Sequence, residues 1–330
     1  MEKPLSPDDL PIVNGRIYHL DLAPEELARD VILVGDPDRV PLLADELLAE
    51  READRFHRGF RTITGVARET EMRVSIVTSG IGAPSTEIVL NELAALNEID
   101  FSTLTRKESF EPLNIVRVGT SGGLNPATPL GALVLTDYVI GLDNTGLFYD
   151  VPLPDAACAY LEEQARTVLD RAAQPGARFG GTLAPYAARA DRDLLTALEQ
   201  EAAELGITHV RGITISSPGF FAEQGRGVAR IGSTVPGLLD ALERLESGRL
   251  NLYVENLEME AGVVLHFLGG LGYRAAAVCA VINKRNEKAF MADYRRQVCA
   301  GARIALRAFR RLRPEAGPQL MAGRGTWRES

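Results

Sequence analysis

Arginine and glycine residues recur where apolar segments end, a combination suited to holding an anion. Gly35 follows the apolar residues 31–34 and precedes Asp36, Pro37 and Arg39. A junction of strand, glycine and helix presents free backbone N–H groups and the positive end of a helix dipole. The guanidinium of Arg39 adds a planar fork of donors. An ordinary turn followed by a surface arginine has the same pattern, so both interpretations stay open at this point.

A second glycine-rich segment covers residues 117–123 and reads R-V-G-T-S-G-G. Arg117 lies within an apolar run, where a buried charge requires a counter-ion. Thr120 and the glycines offer a hydroxyl and backbone N–H groups, which is typical of an anion-holding loop. The G-x-x-x-x-G-K pattern of nucleotide-binding P-loops is absent. The alternative is a glycine turn whose arginine pairs with an acidic residue.

Two further segments carry side chains suited to a sugar and to a flat heterocycle. Glu258 and Glu260 lie at the predicted start of a helix, and a carboxylate accepts hydrogen bonds from adjacent hydroxyls. Phe220 offers an apolar wall, while Gln224 and Arg226 offer an amide and a fork of donors. The alternatives are a solvated helix start and an amphipathic loop. All four segments together favour a ligand with an anion, a diol and a polar ring.

The chain has 330 residues, with 36 Lys plus Arg and 45 Asp plus Glu, so its formal net charge is −9. A composition of 45% apolar and 25% charged residues excludes a disordered chain. The acidic balance argues against nucleic acid or a membrane surface as partner, because both attract basic proteins. No apolar stretch reaches the about 18 residues of a membrane span, and the first ten residues lack the apolar centre of a signal peptide.

The three cysteines, Cys158, Cys279 and Cys299, are spaced neither as metal ligands nor as a disulfide framework. The four histidines form no close cluster with cysteines or acidic residues, so we predict no metal site. Unpaired thiols are typical of a reducing compartment, and we therefore expect a cytoplasmic protein.

Strand-like and helix-like segments alternate from residue 31 onwards. The predicted strands cover residues 31–34, 74–77, 115–118, 132–140, 178–184, 210–215, 252–254 and 275–282. The predicted helices cover residues 37–48, 86–96, 155–173, 192–205, 238–245, 258–267 and 290–312. The first helix would have Asp36 as its N-cap and Pro37 as its first residue. Alternating strands and helices predict one α/β domain with a largely covered sheet.

The predicted domain spans residues 1–312. Within it, residues 1–16 form an N-terminal extension, and the polar residues 99–113 form a surface insertion. Residues 313–330 are rich in Gly, Pro and charge and predict a flexible tail.

Seven short motifs, taken in order, resemble the nucleoside phosphorylase family over residues 18–312. They are Y-H-L at 18–20, V-G-D-P-D-R-V at 34–40, H-R at 57–58, S-G-I-G-A-P-S-T at 79–86, R-V-G-T-S-G-G at 117–123, F-F-A-E-Q-G-R at 220–226 and N-L-E-M-E-A at 256–261. The resemblance implies an α/β fold with a mixed central sheet, partly barrel-like and flanked by helices. It also implies a pentosyltransferase that cleaves a nucleoside with inorganic phosphate. Phosphate is then a co-substrate, and no cofactor is implied.

The resemblance also implies a role for each matching residue. Phosphate would be bound by Gly35, Arg39, Arg58, Arg117 and Thr120, with Arg58 coming from a neighbouring subunit. Ribose would be bound by Glu258, Met259 and Glu260, and by His19 of a neighbouring subunit. The base would be bound by Phe220, Gln224, Arg226 and Ile282. The catalytic residues would be Arg117, Gln224, Arg226 and Glu260.

The pair Gln224 and Arg226 implies uridine as substrate, with uracil and ribose 1-phosphate as products of pyrimidine salvage. Purine-specific relatives tend to place an Asp after the last core strand, and residues 280–285 contain none. A purine nucleoside phosphorylase, a nucleoside hydrolase on the same scaffold and an inactive nucleoside-binding protein remain alternatives.

The shared residues imply a homo-oligomer, either a hexamer or a dimer. Gly59 stands where bacterial members of the family usually carry a Glu that helps to hold a monovalent cation, and no metal is assigned.

Overall fold

A computed structural model describes residues 4–284, 287, 289–313 and 321–322, the last two by their backbone alone. The rest of the predicted flexible tail, residues 314–320 and 323–330, lies outside the described residues. The described strands are β1 (Ile12–Val13), β2 (Arg16–Ile17), β3 (Asp30–Val34), β4 (Leu48–His57), β5 (Phe60–Ala67), β6 (Arg73–Thr78), β7 (Ile99–Asp100), β8 (Thr105–Arg106), β9 (Ser109–Phe110), β10 (Asn114–Gly123), β11 (Leu133–Gly141), β12 (Tyr186–Arg189), β13 (His209–Ser216), β14 (Val254–Glu258), β15 (Arg274–Lys284), β16 (Ala289–Phe290) and β17 (Met321–Ala322). The α-helices are α1 (Arg39–Leu47), α2 (Ala83–Glu98), α3 (Ala156–Ala172), α4 (Arg192–Glu204), α5 (Leu238–Glu243), α6 (Ala261–Gly270) and α7 (Arg295–Arg311).

Five strands form a closed ring at the centre of the fold. β15, β11, β13, β14 and β10 follow one another as hydrogen-bonded neighbours, and β10 pairs again with β15 to close the ring. β10 is parallel to β15 and antiparallel to β14. The prediction of a mixed, partly barrel-like sheet is therefore confirmed.

The sheet continues beyond the ring from β10 through β3, β6, β5 and β4. β10, β3 and β6 are parallel, so their carboxyl ends meet at one edge of the sheet. All five residues of β3 are buried, as expected for a central strand with both faces covered. This geometry brings the glycine-rich segments that follow β3 and β6, and the end of β10, to the same edge.

Helices pack on the sheet and bury two apolar cores. The larger core contains residues of α1, α2, α6 and α7 together with β3, β6 and β10. The smaller core contains residues of α3 and α5 against β11 and β13. None of the described helices is long and apolar enough to cross a membrane.

Two predicted strands differ from the structure. The prediction of a strand at 178–184 is wrong, because those residues form exposed turns around Gly181, whose φ is 75°. The strand lies at β12, where Tyr186 is buried. The strand predicted at 252–254 overlaps β14 only at Val254.

Three predicted helices begin at least two residues later than expected, and one of them, predicted at 258–267, begins at Ala261. The Asp36 carboxylate accepts a hydrogen bond from the Asp38 N–H at 3.0 Å, so it closes a local turn instead of capping the helix. Pro37 lies in that turn, and Arg39 is the first residue of α1. The helix predicted at 290–312 begins at Arg295, because the preceding residues form β16 and a turn.

The hairpin of β4 and β5 has no clear signal in the sequence. β4 reads L-A-E-R-E-A-D-R-F-H and is mostly exposed, as a charged strand at the edge of a sheet often is. His57 pairs with Phe60, which leaves Arg58 and Gly59 as the two turn residues, with φ of 51° and 85°. Positive φ at both positions is the geometry that favours a tight hairpin.

Residues 99–113 form short strands at the surface. β7 pairs with β8, and β9 pairs with β17. Residues 101–111 are half-buried or exposed, whereas Ile99 and Leu113 are buried at the two ends. The Leu5 N–H donates to the Leu104 carbonyl at 2.8 Å, so the N-terminal segment lies against these strands.

Candidate active site

Gly35, Arg39 and Thr120 meet at the edge where β3, β6 and β10 end. A Cβ on Gly35 would lie 3.4 Å from the Gly80 carbonyl oxygen, so the two glycine segments approach closely. Arg39 Nη2 donates to Thr120 Oγ1 at 3.3 Å, and its guanidinium lies 5.3 Å from the ring centroid of Tyr294. The buried Arg39 Nε has no hydrogen-bond partner among the described residues. A concave edge with an open donor suits an anion.

Arg117 is buried inside the ring, with 3% of its surface exposed. Its Nη2 pairs with Glu258 at 3.0 Å and with Glu260. Its Nη1 donates to Cys279 Sγ at 3.0 Å, while its Nε has no partner among the residues described. A Cβ on Gly119 would lie 2.1 Å from Arg117 Nη1, so only glycine leaves room for this guanidinium. Arg117 therefore meets acidic counter-ions and still keeps one open donor.

Glu258 is the last residue of β14, so the prediction that it starts a helix is wrong; α6 begins at Ala261. The Glu258 carboxylate accepts from the N–H groups of Glu260 at 3.0 Å and Ala261 at 2.9 Å. It thereby caps the helix, where negative charge is favourable. Glu260 Oε1 accepts from the Gly82 N–H at 2.6 Å. Because one glutamate ends a strand and the other precedes a helix, both carboxylates reach Arg117.

Burial shifts the proton affinities in this cluster. Desolvation raises the pKa of Glu258, and Glu260 raises it further, although Arg117 opposes the shift. Desolvation likewise raises the pKa of the Cys279 thiol to about 12. Burial disfavours the charge on Arg117, but the two carboxylates outweigh it and raise its pKa. The cluster therefore keeps a permanent cation beside acceptor oxygens.

Residues 217–226 form a loop that starts beside Glu258. The Ser217 N–H donates to the Glu258 carbonyl at 2.9 Å. Arg226 Nη1 donates to Gln224 Oε1 and, at 2.5 Å, to the Phe220 carbonyl. The Arg226 guanidinium lies 3.8 Å from the Phe220 ring centroid. The structure thus brings an aromatic face, a buried amide and a guanidinium together next to the acidic cluster.

Met259 and Ile282 lie at the margins of these groups. Met259 is half-buried between the two glutamates. The register of β10 against β15 skips Ile282, which is a bulged residue between Val281 and Asn283. Bulges re-aim side chains near binding sites, and this one lies beside the glycines at the end of β10.

His19 and Arg58 form a surface cluster with Tyr18. Arg58 Nη1 donates to the Tyr18 hydroxyl at 3.2 Å, and its guanidinium lies 5.2 Å from the Tyr18 ring. The His19 ring contacts the Tyr18 ring at 4.9 Å and the Phe60 ring at 6.4 Å between centroids. His19 Nδ1 lies 2.7 Å from Glu92 Oε1. The two residues predicted to serve a neighbouring subunit are therefore held together on this subunit.

Several residues that contact predicted site residues had no assigned role in the sequence, among them Tyr18, Glu92, Cys279 and Tyr294. Glu92 alone carries a signal, because it is a charged residue on the apolar face of the predicted helix 86–96. The other three are ordinary residues for their positions.

The fold is a closed ring of five strands flanked by helices, and arginines, glutamates and glycine-rich segments lie together at one edge of its sheet. Residues 29–310 match the Phosphorylase superfamily, and the chain belongs to that superfamily.

Several relatives cover most of the chain. A uridine phosphorylase of Thermococcus kodakarensis is 29% identical over 287 residues, which are 86% of this chain and 83% of the relative. A uridine phosphorylase of Escherichia coli is 28% identical over 274 residues, which are 82% of this chain and 87% of the relative. The crystal structure of a Trypanosoma brucei nucleoside phosphorylase, described as showing uridine phosphorylase activity, has a TM-score of 0.81 and 29% identity, and covers 91% of this chain and 99% of that chain. The expected family and fold are confirmed.

Proposed function

We propose that the chain catalyses the phosphorolysis of uridine, which yields uracil and ribose 1-phosphate, in pyrimidine salvage. One observation carries the proposal: Gln224 and Arg226 are bonded to each other against Phe220, in a loop tied to Glu258. An amide that both donates and accepts, beside a guanidinium that only donates, matches the N–H and carbonyl groups of a uracil edge. The activity of the relatives supports the same assignment.

The phosphate site in this proposal uses the donors that the protein leaves open. Gly35, Arg39, Arg117 and Thr120 bind the anion, and Arg58 of the partner subunit completes the site. The Nε atoms of Arg39 and Arg117, which have no hydrogen-bond partner in the described part of the chain, support this assignment. An arginine fork fits a phosphate better than a lysine point charge does.

In this proposal the nucleoside lies between the acidic cluster, formed by Glu258 and Glu260, and the base loop, formed by residues 217–226. Glu258 and Glu260 accept hydrogen bonds from the ribose hydroxyls, Met259 packs on the sugar, and His19 of the partner subunit bonds the 5′-hydroxyl. Phe220 packs on the base, whose edge Gln224 and Arg226 bind, and Ile282 forms part of the wall around it.

Arg117, Gln224, Arg226 and Glu260 are the proposed catalytic residues. A phosphate oxygen forms a bond to ribose C1′ as the bond from C1′ to uracil N1 breaks. The electron pair of the broken bond moves to uracil, where Gln224 and Arg226 stabilise the developing negative charge. Arg117 holds the nucleophile, and Glu260 holds the sugar close to it. Phosphate supplies the nucleophile, so the proposed reaction uses no cofactor or metal.

We further propose a homo-oligomer with shared active sites, either a dimer or a hexamer, whose partners are small molecules and not nucleic acid or membranes. The described cysteines are free thiols, which supports a cytoplasmic location.

A uracil-release assay with and without inorganic phosphate tests the proposal. Uridine phosphorolysis requires phosphate and forms ribose 1-phosphate in equal amount to uracil. Release of uracil without phosphate would identify a hydrolase, and faster cleavage of inosine would identify a purine enzyme. Nucleoside binding without any cleavage would identify an inactive binding protein.

A further inference from the structure

Glu92 is a buried carboxylate in the middle of α2, with 7% of its surface exposed. Its neighbours on the same helix face, Val89 and Leu96, are buried. A carboxylate in such surroundings is costly unless donors satisfy it. The donors that satisfy Glu92 all come from a single distant segment, the turn at His19 and Leu20.

Three groups of that turn converge on Glu92. The backbone N–H groups of His19 and Leu20 donate to its two oxygens, each at 2.8 Å. The His19 ring contributes Nδ1, 2.7 Å from Glu92 Oε1. The carboxylate therefore holds both the backbone and the imidazole of His19.

A carboxylate that only accepts hydrogen bonds also determines where the imidazole proton lies. Because an ionised carboxylate has no donor, His19 Nδ1 must carry the proton that bonds Glu92. The opposite nitrogen, Nε2, then has its lone pair free in the neutral ring. The ring edges of Tyr18 and Phe60 flank the imidazole, whose side chain is 28% exposed.

We propose that Glu92 is a positioning residue that fixes the His19 tautomer, so that Nε2 accepts a hydrogen bond from the ribose 5′-hydroxyl in the partner's site. The inference rests on the proposed function. It adds a specificity device to the site: the chain selects nucleosides with a free 5′-hydroxyl through a carboxylate that never touches the substrate. Glu92 acts only through His19.

The variant Glu92→Gln tests this assignment because its amide Nε2 can donate to His19 Nδ1. The imidazole proton then moves to the other nitrogen, and the acceptor for the 5′-hydroxyl is lost. We expect kcat/KM for uridine to fall about tenfold, the effect of one lost hydrogen bond. For 5′-deoxyuridine, which lacks the hydroxyl, we expect kcat/KM within about twofold of the parent.

The matched variants are His19→Ala and the double variant. Because Glu92 acts through His19, Glu92→Gln should add little to the loss that His19→Ala already causes. Equal losses for uridine and 5′-deoxyuridine in Glu92→Gln would overturn the proposal, since they would indicate a structural role alone.

A spectroscopic measurement on the unaltered protein covers the case in which the variant does not fold. The ¹⁵N chemical shifts of His19 should report a protonated Nδ1 and an unprotonated Nε2 at neutral pH, and the reverse pattern would overturn the proposal. Failure here is distinguishable from failure of the proposed function. If the proposed function is wrong, phosphate-dependent uracil release is absent altogether. If only the proposal for Glu92 is wrong, that release is intact.

Discussion

At the scale of single residues, the site is organised around cations that the protein does not fully satisfy. Arg117 meets two carboxylates and a thiol, yet its Nε has no partner among the described residues. A buried cation with counter-ions is stable in the empty protein, and a remaining donor is available to a ligand. The same residue can therefore serve folding and substrate binding.

Arg226 should contribute mainly to the rate of the reaction. Replacing it by alanine removes a donor directed at the charge that develops on uracil, which typically costs about 2.7–4 kcal/mol of barrier. We expect Arg226→Ala to lower kcat at least about a hundredfold, measured by uracil release at saturating phosphate. Arg230→Ala, which removes an exposed arginine four residues after the base loop, is the control and should stay near the parent. Near-normal turnover of Arg226→Ala would refute its role.

At the scale of elements, the hairpin of β4 and β5 places an arginine where asparagine or glycine is the usual choice. Arg58 has a φ of 51°, in a region that non-glycine residues seldom occupy. The tip of the hairpin therefore accepts a less favourable residue in order to present a guanidinium.

Arg58→Asn separates the two roles of this position. Asparagine favours the left-handed turn, so we expect an unchanged or slightly higher Tm. Loss of the guanidinium should raise KM for phosphate about tenfold or more, with a smaller effect on KM for uridine. Arg51→Asn, on the exposed part of β4, should change neither constant. A parent-like KM for phosphate in Arg58→Asn would contradict the proposed phosphate site.

A second element-level prediction concerns the attachment of the N-terminal segment. Glu26 pairs with Arg16 and, at 2.5 Å, with Arg55 of β4. Desolvation opposes ionisation of Glu26, but hydrogen bonds from the two arginines outweigh it and lower its pKa to about 2, from 4.5. A lowered pKa in the folded state stabilises the protein above the unfolded pKa, and this stabilisation is lost as the pH falls from 4.5 towards 2.

Glu26→Gln should therefore lower Tm by about 2–4 °C at pH 7. The difference in Tm from the parent should shrink as the pH falls below about 4.5. Thermal unfolding of both proteins, measured across that pH range, checks this. Glu25→Gln, an exposed neighbour, should leave Tm unchanged. A difference that stays constant between neutral and acid pH would show that ionisation of Glu26 does not carry the effect.

The sequence predicts buried elements well and edge elements poorly. Residues 31–34 are recognisable as a strand because their side chains are apolar on both faces, and residues 115–118 because Arg117 alone interrupts an apolar run. β4 carries charges along an exposed edge, so no apolar period marks it. Closure of the ring depends on pairing between β10 and β15, about 160 residues apart in the chain, and local patterns contain no such information.

The candidate site was predictable only in part, because local sequence patterns show residue types but not which segments come together. The motifs around Arg117 and Gln224 show the residue types that bind an anion and a base. The structure pairs Arg117 with Glu258, and it ties the loop of Gln224 to Glu258 through the Ser217 N–H. Glu92 is different, because its purpose becomes visible only when α2 packs against the turn at His19. A charged residue on an apolar helix face indicates that a hydrogen-bond partner exists, but the sequence does not show which residue it is.

At the scale of the whole molecule, the proposed active site is divided between subunits. His19 and Arg58 lie in one surface cluster, joined through Tyr18. The base loop and the acidic cluster form the other part. Such a division predicts that neither part works alone and that parts from two chains can be combined.

Mixing two impaired variants, assayed at a phosphate concentration far below the KM of Arg58→Ala, tests this division. Arg58→Ala lacks the surface part of the site, and Glu260→Gln lacks a catalytic carboxylate. When equal amounts are unfolded and refolded together, about one site in four should combine an intact Glu260 with an intact Arg58 of the partner subunit. Activity of the mixture should approach about a quarter of the parent value. A mixture no more active than its components would show that each chain builds its own site.

Glu258 has a further consequence, because its carboxylate secures the first turn of α6 whatever the chain binds. A related protein without catalytic activity would still use this glutamate to stabilise the first turn of α6. A glutamate at this position in a distantly related sequence is therefore weak evidence that the related protein is an active enzyme. Gln224 and Arg226 are proposed to bind the base, so substitutions at those two positions are the better indication that a related protein has lost the activity.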